Sequence, residues 1–223
     1  ITVVGDSFGG TDYSTAARVA SRSGTPTHDA EHLGGGTSCE ASAWASVTAM
    51  TCRTPRGLLF PKGIALTIAR LVGSTTKLLS YDVPMALRAV PPNGPVVGGG
   101  LATILGANFG WLDTSARARV GGSACEATAW DSDSGVVCSV SQGVGADRPI
   151  AVTMQRMRAT APRLFTYDAA AISAVVPPNA PTSGGLTLLI AGNNFGARDL
   201  CPAGQVQGTA CEATSWVSDS AVD

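Results

Sequence analysis

Gly5-Asp6-Ser7-Phe8-Gly9 fits the G-x-S-x-G pattern of a serine nucleophile, in which a sharp turn after a strand lifts the hydroxyl towards an acyl substrate. Such a serine needs a later acid and a histidine to activate it. The preceding Ile1-Thr2-Val3-Val4 does read as a strand, but Gly10-Thr11-Asp12-Tyr13 starts no helical period, and the 2 histidines, His28 and His32, share one short polar stretch. The phrase also recurs as Leu101 to Gly110 and Leu186 to Gly196, where Asn108 and Asn194 stand in place of Ser7. Asparagine cannot replace a nucleophile, whereas a turn accepts serine or asparagine alike. Ser7 therefore reads as a turn residue.

The other chemical candidates weaken in the same way. His28-Asp29-Ala30-Glu31-His32 spaces two imidazoles as a helix could chelate a metal, yet the residues between them do not follow H-E-x-x-H, and the segment reads as a solvated loop. Asp131-Ser132-Asp133 lacks the glycine and glutamate of a calcium loop and reads as a turn. Gly98-Gly99-Gly100 is followed by no G-K-[ST], so these are turn glycines rather than a phosphate cradle. The 15 basic residues are scattered and the net charge is -1, which lacks the electrostatic footprint of a nucleic-acid binder. The expectation is a chain that is not an enzyme and holds no cofactor or metal.

The recurring phrase belongs to a longer period. Phe109 and Phe195, Cys39 and Cys125, Cys52 and Cys138, Trp44 and Trp130, Trp130 and Trp216, and Tyr81 and Tyr167 all lie 86 positions apart. Only Phe8 breaks step, 101 positions before Phe109, so the first copy carries extra residues, expected as a loop over about 14–36. The boundaries are drawn at 1–84, 85–169 and 170–223, with the first copy lacking its opening strand and the third stopping before its closing strands.

Within a copy, runs such as Ile172 to Val176, Leu186 to Ala191, Gly135 to Val140, Ile150 to Met154 and Leu164 to Tyr167 are β-rich and separated by Pro, Gly, Asn and Asp. Gly57 to Arg70 is apolar enough for a helix, but its counterpart Gly143 to Arg156 reads as a turn and a strand, and both are assigned so. The expected fold is all-β, a tandem array of β-sandwiches.

Five segments of the second copy together carry a family resemblance: Val90-Pro91-Pro92-Asn93-Gly94-Pro95 with Gly98 to Gly100, Gly106 to Gly110, Val120 to Cys125, Val136 to Cys138, and Phe165-Thr166-Tyr167. On these residues each copy resembles an IPT/TIG domain, the immunoglobulin-like module of plexin-type receptor ectodomains, some transcription factors and large surface proteins of protists and algae. The resemblance implies immunoglobulin-like sandwiches whose repeated residues Phe8, Phe109, Phe195, Trp44, Trp130, Trp216, Tyr81 and Tyr167 build the cores. It also implies disulfides Cys39–Cys52 and Cys125–Cys138 between neighbouring strands. Zinc is the alternative for these cysteines, but closely spaced pairs with further Cys or His are missing. Disulfides would place the protein outside the reducing cytosol, extracellular or at the cell surface. Cys211 is expected to pair with a cysteine beyond residue 223, and Cys201 to stay unpaired or to bond another chain. Trp111 stands outside the repeat and is the candidate for contact with another module or chain.

Charged residues make up only 14% of the chain, little for an exposed array. Such surfaces adhere edge to edge unless they pack into an assembly or carry sugars. No Asn-x-Ser/Thr sequon occurs. O-linked glycans on Ser and Thr, and on Pro91, Pro92, Pro177 and Pro178 if hydroxylated, stay open, although these prolines read more simply as the openings of their sandwiches. The expected role is an extracellular structural repeat protein that forms a rod, filament or fibril by self-association or packing of neighbouring modules. It is expected to bind no nucleic acid and to insert no segment directly into a membrane. The alternatives are the stalk of a receptor or adhesion ectodomain, and spacer modules of a larger secreted enzyme.

Overall fold

The computed structural model describes residues 1–20, 36–57 and 62–223, and every regular element among them is a strand. These residues form two compact units, Ile1–Asp82 and Val83–Asp223.

The second repeat shows the full architecture. One antiparallel sheet runs in the order Ala127–Ser132, Gly135–Ser139, Leu101–Ala107, Met85–Val90. The facing sheet runs Ser123–Ala124, Arg117–Val120, Arg148–Met154, Met157–Tyr167, Asn93–Gly94. Alternation places Ala102 and Ile104 of one sheet, and Ile150 and Val152 of the other, on the inner faces. Phe109, Ile104, Val136, Ile150 and Val152 are all 0% exposed and form one cluster with Phe165 and Tyr167. Burying an apolar side chain of this size stabilises the fold by about 1.5–3 kcal/mol before entropy is charged.

The first repeat has the same two layers with fewer strands. Thr2–Val4, Ala49–Arg53 and Ala41–Ser46 form one sheet, and Thr37–Ser38, Ala16–Ala20, Lys62–Ile68 and Leu71–Leu79 the other. The stretch expected as a loop over 14–36 includes a strand at Ala16–Ala20, and residues 21–35 of it lie outside the described residues. Ala16–Ala20 is a strand paired with Lys62–Ile68, and Ala17 and Val19 are buried. With three alanines and an arginine beside Val19, the segment gives too weak an apolar alternation to reveal a strand next to a polar stretch.

The third repeat keeps the sheet Ala171–Val176, Leu189–Asn193, Ala221–Val222, Trp216–Ser218 and a two-stranded ribbon of Gln205–Val206 with Thr209–Ala210. Val222 is its one fully buried hydrophobic side chain among the described residues, and Phe195 is half-buried.

Candidate functional site

The turn that imitates a nucleophile motif is a backbone device. Ser7, Asn108 and Asn194 have φ of 64°, 61° and 62°, in the left-handed region that asparagine tolerates best among residues with a side chain. A Cβ on Gly5, Gly106 or Gly192 would come within 2.7, 2.5 and 2.5 Å of the phenylalanine ring three residues on. The glycine at the head of the motif is thus a seat for Phe8, Phe109 or Phe195. Ser7 is exposed, and the residues that would have to activate it or bind a metal, His28, Asp29, Glu31 and His32, lie outside the described residues.

Asp133 closes this turn. The Phe109 amide donates to the Asp133 carbonyl at 2.9 Å and the Gly110 amide to its Oδ1 at 2.8 Å. Asp219 serves Phe195 and Gly196 in the same way, each at 3.0 Å. The first repeat has only the backbone half, Phe8 to the Val47 carbonyl at 2.8 Å. In sequence Asp131-Ser132-Asp133 reads only as a turn; the 86-residue spacing of Asp133 and Asp219 is the signal that this aspartate has a repeated role.

Cys39 joins Cys52, and Cys125 joins Cys138, each with Cα atoms 5.7 Å apart. Each bridge joins a cysteine at the point where the chain leaves one sheet to a strand of the other. Cys125 donates its amide to Ala118 in one sheet at 3.0 Å, whereas Cys138 lies in Gly135–Ser139 of the other and is 0% exposed. Trp130 is paired with Val136, two residues from Cys138 on the same strand face, and packs on the core. The indole Nε1 atoms of Trp44, Trp130 and Trp216 are all buried without a hydrogen-bond partner.

Cys201 and Cys211 are free and exposed in this chain. Cys201 occupies a left-handed turn, φ 55°, with its amide donating to Asp199 Oδ1 at 2.8 Å. Ser115 and Ser14 hold the same turn on Asp113 and Asp12 at 2.8 and 2.9 Å, so the cysteine sits where the other repeats place serine.

Each aromatic clamp at the end of a repeat reaches back 26 residues. Tyr81 donates to the Pro55 carbonyl at 2.8 Å and Tyr167 to the Ser141 carbonyl at 2.9 Å. Gly57 and Gly143 make room, since a Cβ would approach the rings to 2.3 and 2.5 Å. Burial pushes both phenols above their ordinary value; at Tyr167 the Ser141 bond and the Arg148 charge oppose that push.

Around the junction of the second and third repeats these pieces converge. Asn93 Nδ2 donates to Asp168 Oδ1 at 2.7 Å, and the Asp168 amide donates to the Gly94 carbonyl at 2.8 Å. From the other side, Asn194 Nδ2 donates to the Ala169 carbonyl at 3.2 Å. The linker is therefore tied to both repeats that it joins. Alongside it, Val96, Val144 and Tyr167 of the second repeat and Ala197 and Leu200 of the third line a shared cleft. Pro91, Pro92 and Pro178 are exposed and Pro177 half-buried, with cis peptide bonds at Val90–Pro91 and Val176–Pro177. Trp111 is 50% exposed.

Among the described residues no three His, Cys, Asp or Glu side chains cluster as metal ligands, and no helix is long and apolar enough to cross a membrane.

Paired sheets, a sheet-to-sheet cystine and a tied linker define a tandem immunoglobulin-like repeat protein. The IPT/TIG domain pattern matches residues 85–167 and 170–222, more than half of the chain, which belongs to that family. Among solved structures it is similar to the full extracellular region of plexin A4, at 16% identity and TM-score 0.38, covering 99% of this chain and 19% of that one. It is also similar to SGBP-B from a xyloglucan utilization locus in Bacteroides uniformis, at 13% identity and TM-score 0.33, covering 86% and 56%. The chain thus spans about a fifth of the plexin region. No curated protein sequence matches it.

Proposed function

We propose that this chain is a stretch of a secreted structural protein, without catalytic activity, whose IPT/TIG repeats form a stiff rod that self-associates into a filament or fibril. The observation that carries this reading is the tied linker, with Ala169 held by Asn194 on one side and Asp168 held by Asn93 on the other. A linker bonded on both sides resists bending in a way that a free coil does not. Cystines of this kind persist in oxidising surroundings, which supports the extracellular assignment.

The outer face of the second repeat supports self-association. Val90, Thr103, Val137 and Ala129 form one cross-sheet row without a charge, next to Leu101, Ser139 and Ala127. In the third repeat Ile172, Val176 and Leu189 are exposed on the matching sheet. Electron microscopy of the purified chain across a concentration series tests the reading. Ordered lateral or end-to-end assemblies are expected, and dispersed single particles at high concentration would overturn it.

A further inference from the structure

We infer that the cleft at the junction of the second and third repeats binds a small acidic ligand, one sugar-sized ring bearing a carboxylate or sulfate. Its volume is about 200 Å³. That is below the roughly 300–1,000 Å³ of sites for drug-sized molecules and suits a single ring.

Arg148, Gln142 and Ser123 of the second repeat and Arg198 of the third supply its polar lining, and no carboxylate lines it among the described residues. Arg148 spends its Nε on the Val144 carbonyl at 2.8 Å, which orients the guanidinium and leaves its terminal nitrogens to donate. Arg198 has no ion pair or hydrogen bond among the described residues. The neighbouring carboxylate of Asp199 is held by the Cys201 amide. The Tyr167 hydroxyl is already committed to Ser141.

The cleft consequently offers unspent guanidinium donors and no anionic acceptor among its lining side chains, with two like charges on its walls. An oxyanion answers both conditions, since guanidinium groups bind carboxylate and sulfate oxygens through paired N–H donors. Val96, Val120 and Leu200 offer an apolar wall to the ring. Arg198 is particular to the third repeat, because Leu112 holds its place in the second.

The test is titration of the whole chain, followed by calorimetry and by amide chemical shifts, with glucuronate, glucose 6-sulfate, glucose and inorganic sulfate. Saturable binding of either acidic sugar is expected, at least about tenfold tighter than glucose or inorganic sulfate. Glucuronate alone would identify the carboxylate, glucose 6-sulfate alone the sulfate, and both together the shared oxyanion chemistry. Arg198→Gln, which removes an exposed charge and should leave the melting temperature unchanged, is expected to weaken binding at least about tenfold, and Arg148→Gln to do likewise. No saturable binding overturns the inference. So does glucose binding equally well, or Arg198→Gln binding as the parent does. Inorganic sulfate binding as tightly as the acidic sugars reduces the cleft to an adventitious anion site and overturns it too.

Discussion

Asn194 donates its side-chain amide to the backbone carbonyl of Ala169 at 3.2 Å, and Asn108 makes the same bond to Val83 at 3.1 Å, each across 25 residues. One asparagine thereby joins the Phe turn of a repeat to the segment leading into it. The left-handed backbone and the amide are separable contributions.

Asn194→Gly keeps the backbone freedom and deletes the bond. We expect a loss of about 0.5–1 kcal/mol, the lower half of the range for a hydrogen bond because this one is solvent-exposed. Asn194→Ala should cost roughly 1 kcal/mol more, for forcing a Cβ into positive φ. Chemical denaturation separates the two, and small-angle scattering should show a broader distance distribution for both variants. Equal stability of the glycine and alanine variants would contradict the backbone half of the argument.

Val47→Asp should supply the acceptor that the first repeat lacks. Val47 is 49% exposed and already takes the Phe8 amide on its carbonyl. A carboxylate there reaches the Gly9 amide as Asp133 reaches Gly110. A gain of about 0.5–1 kcal/mol is expected, read as a higher melting temperature of the first unit.

Trp130→Phe should be tolerated far better than Trp130→Ala. The phenyl ring keeps most of the packing and removes an indole N–H that is buried without a partner. We expect a change below about 1 kcal/mol for phenylalanine, against about 3–5 kcal/mol for alanine. Thermal melts of the two variants check the contrast.

Tyr81 and Tyr167 make stability fall in alkali. Burial raises both phenol values, so between the unfolded value near 10 and the higher folded value the native state holds protons that the unfolded state has released. Their contribution is complete below about pH 10 and is lost as pH rises through the folded values. Denaturant midpoints measured from pH 8 to 12 should show that decline, and it should be shallower in the Tyr81→Phe, Tyr167→Phe double variant.

The sandwich class and the repeated core were legible because they depend on period: Phe109, Trp130 and Tyr167 return in phase and are buried or packed on the core. Ser7 is legible as a turn residue because Asn108 and Asn194 replace it in the other copies, and all three adopt the same left-handed φ. What stayed hidden depends on direction rather than type. Nothing in the Cys125–Cys138 spacing says that the chain changes sheets just before Thr128, and Ala16–Ala20 carries too little apolar contrast to show as a strand. Asp133 acts on a backbone amide 23 residues away, a partner that no local motif announces. The Arg148–Arg198 cleft exists only once two repeats are set side by side.

The sheet-to-sheet cystine also sets how the chain answers to tension. Cys125 and Cys138 are 13 positions apart, so the segment between them cannot be drawn out while the bridge holds. At about 3.4 Å per extended residue, a pulled module withholds roughly 40 Å of contour until a thiol opens it. Extensibility under load would then follow the redox state of the surroundings, module by module.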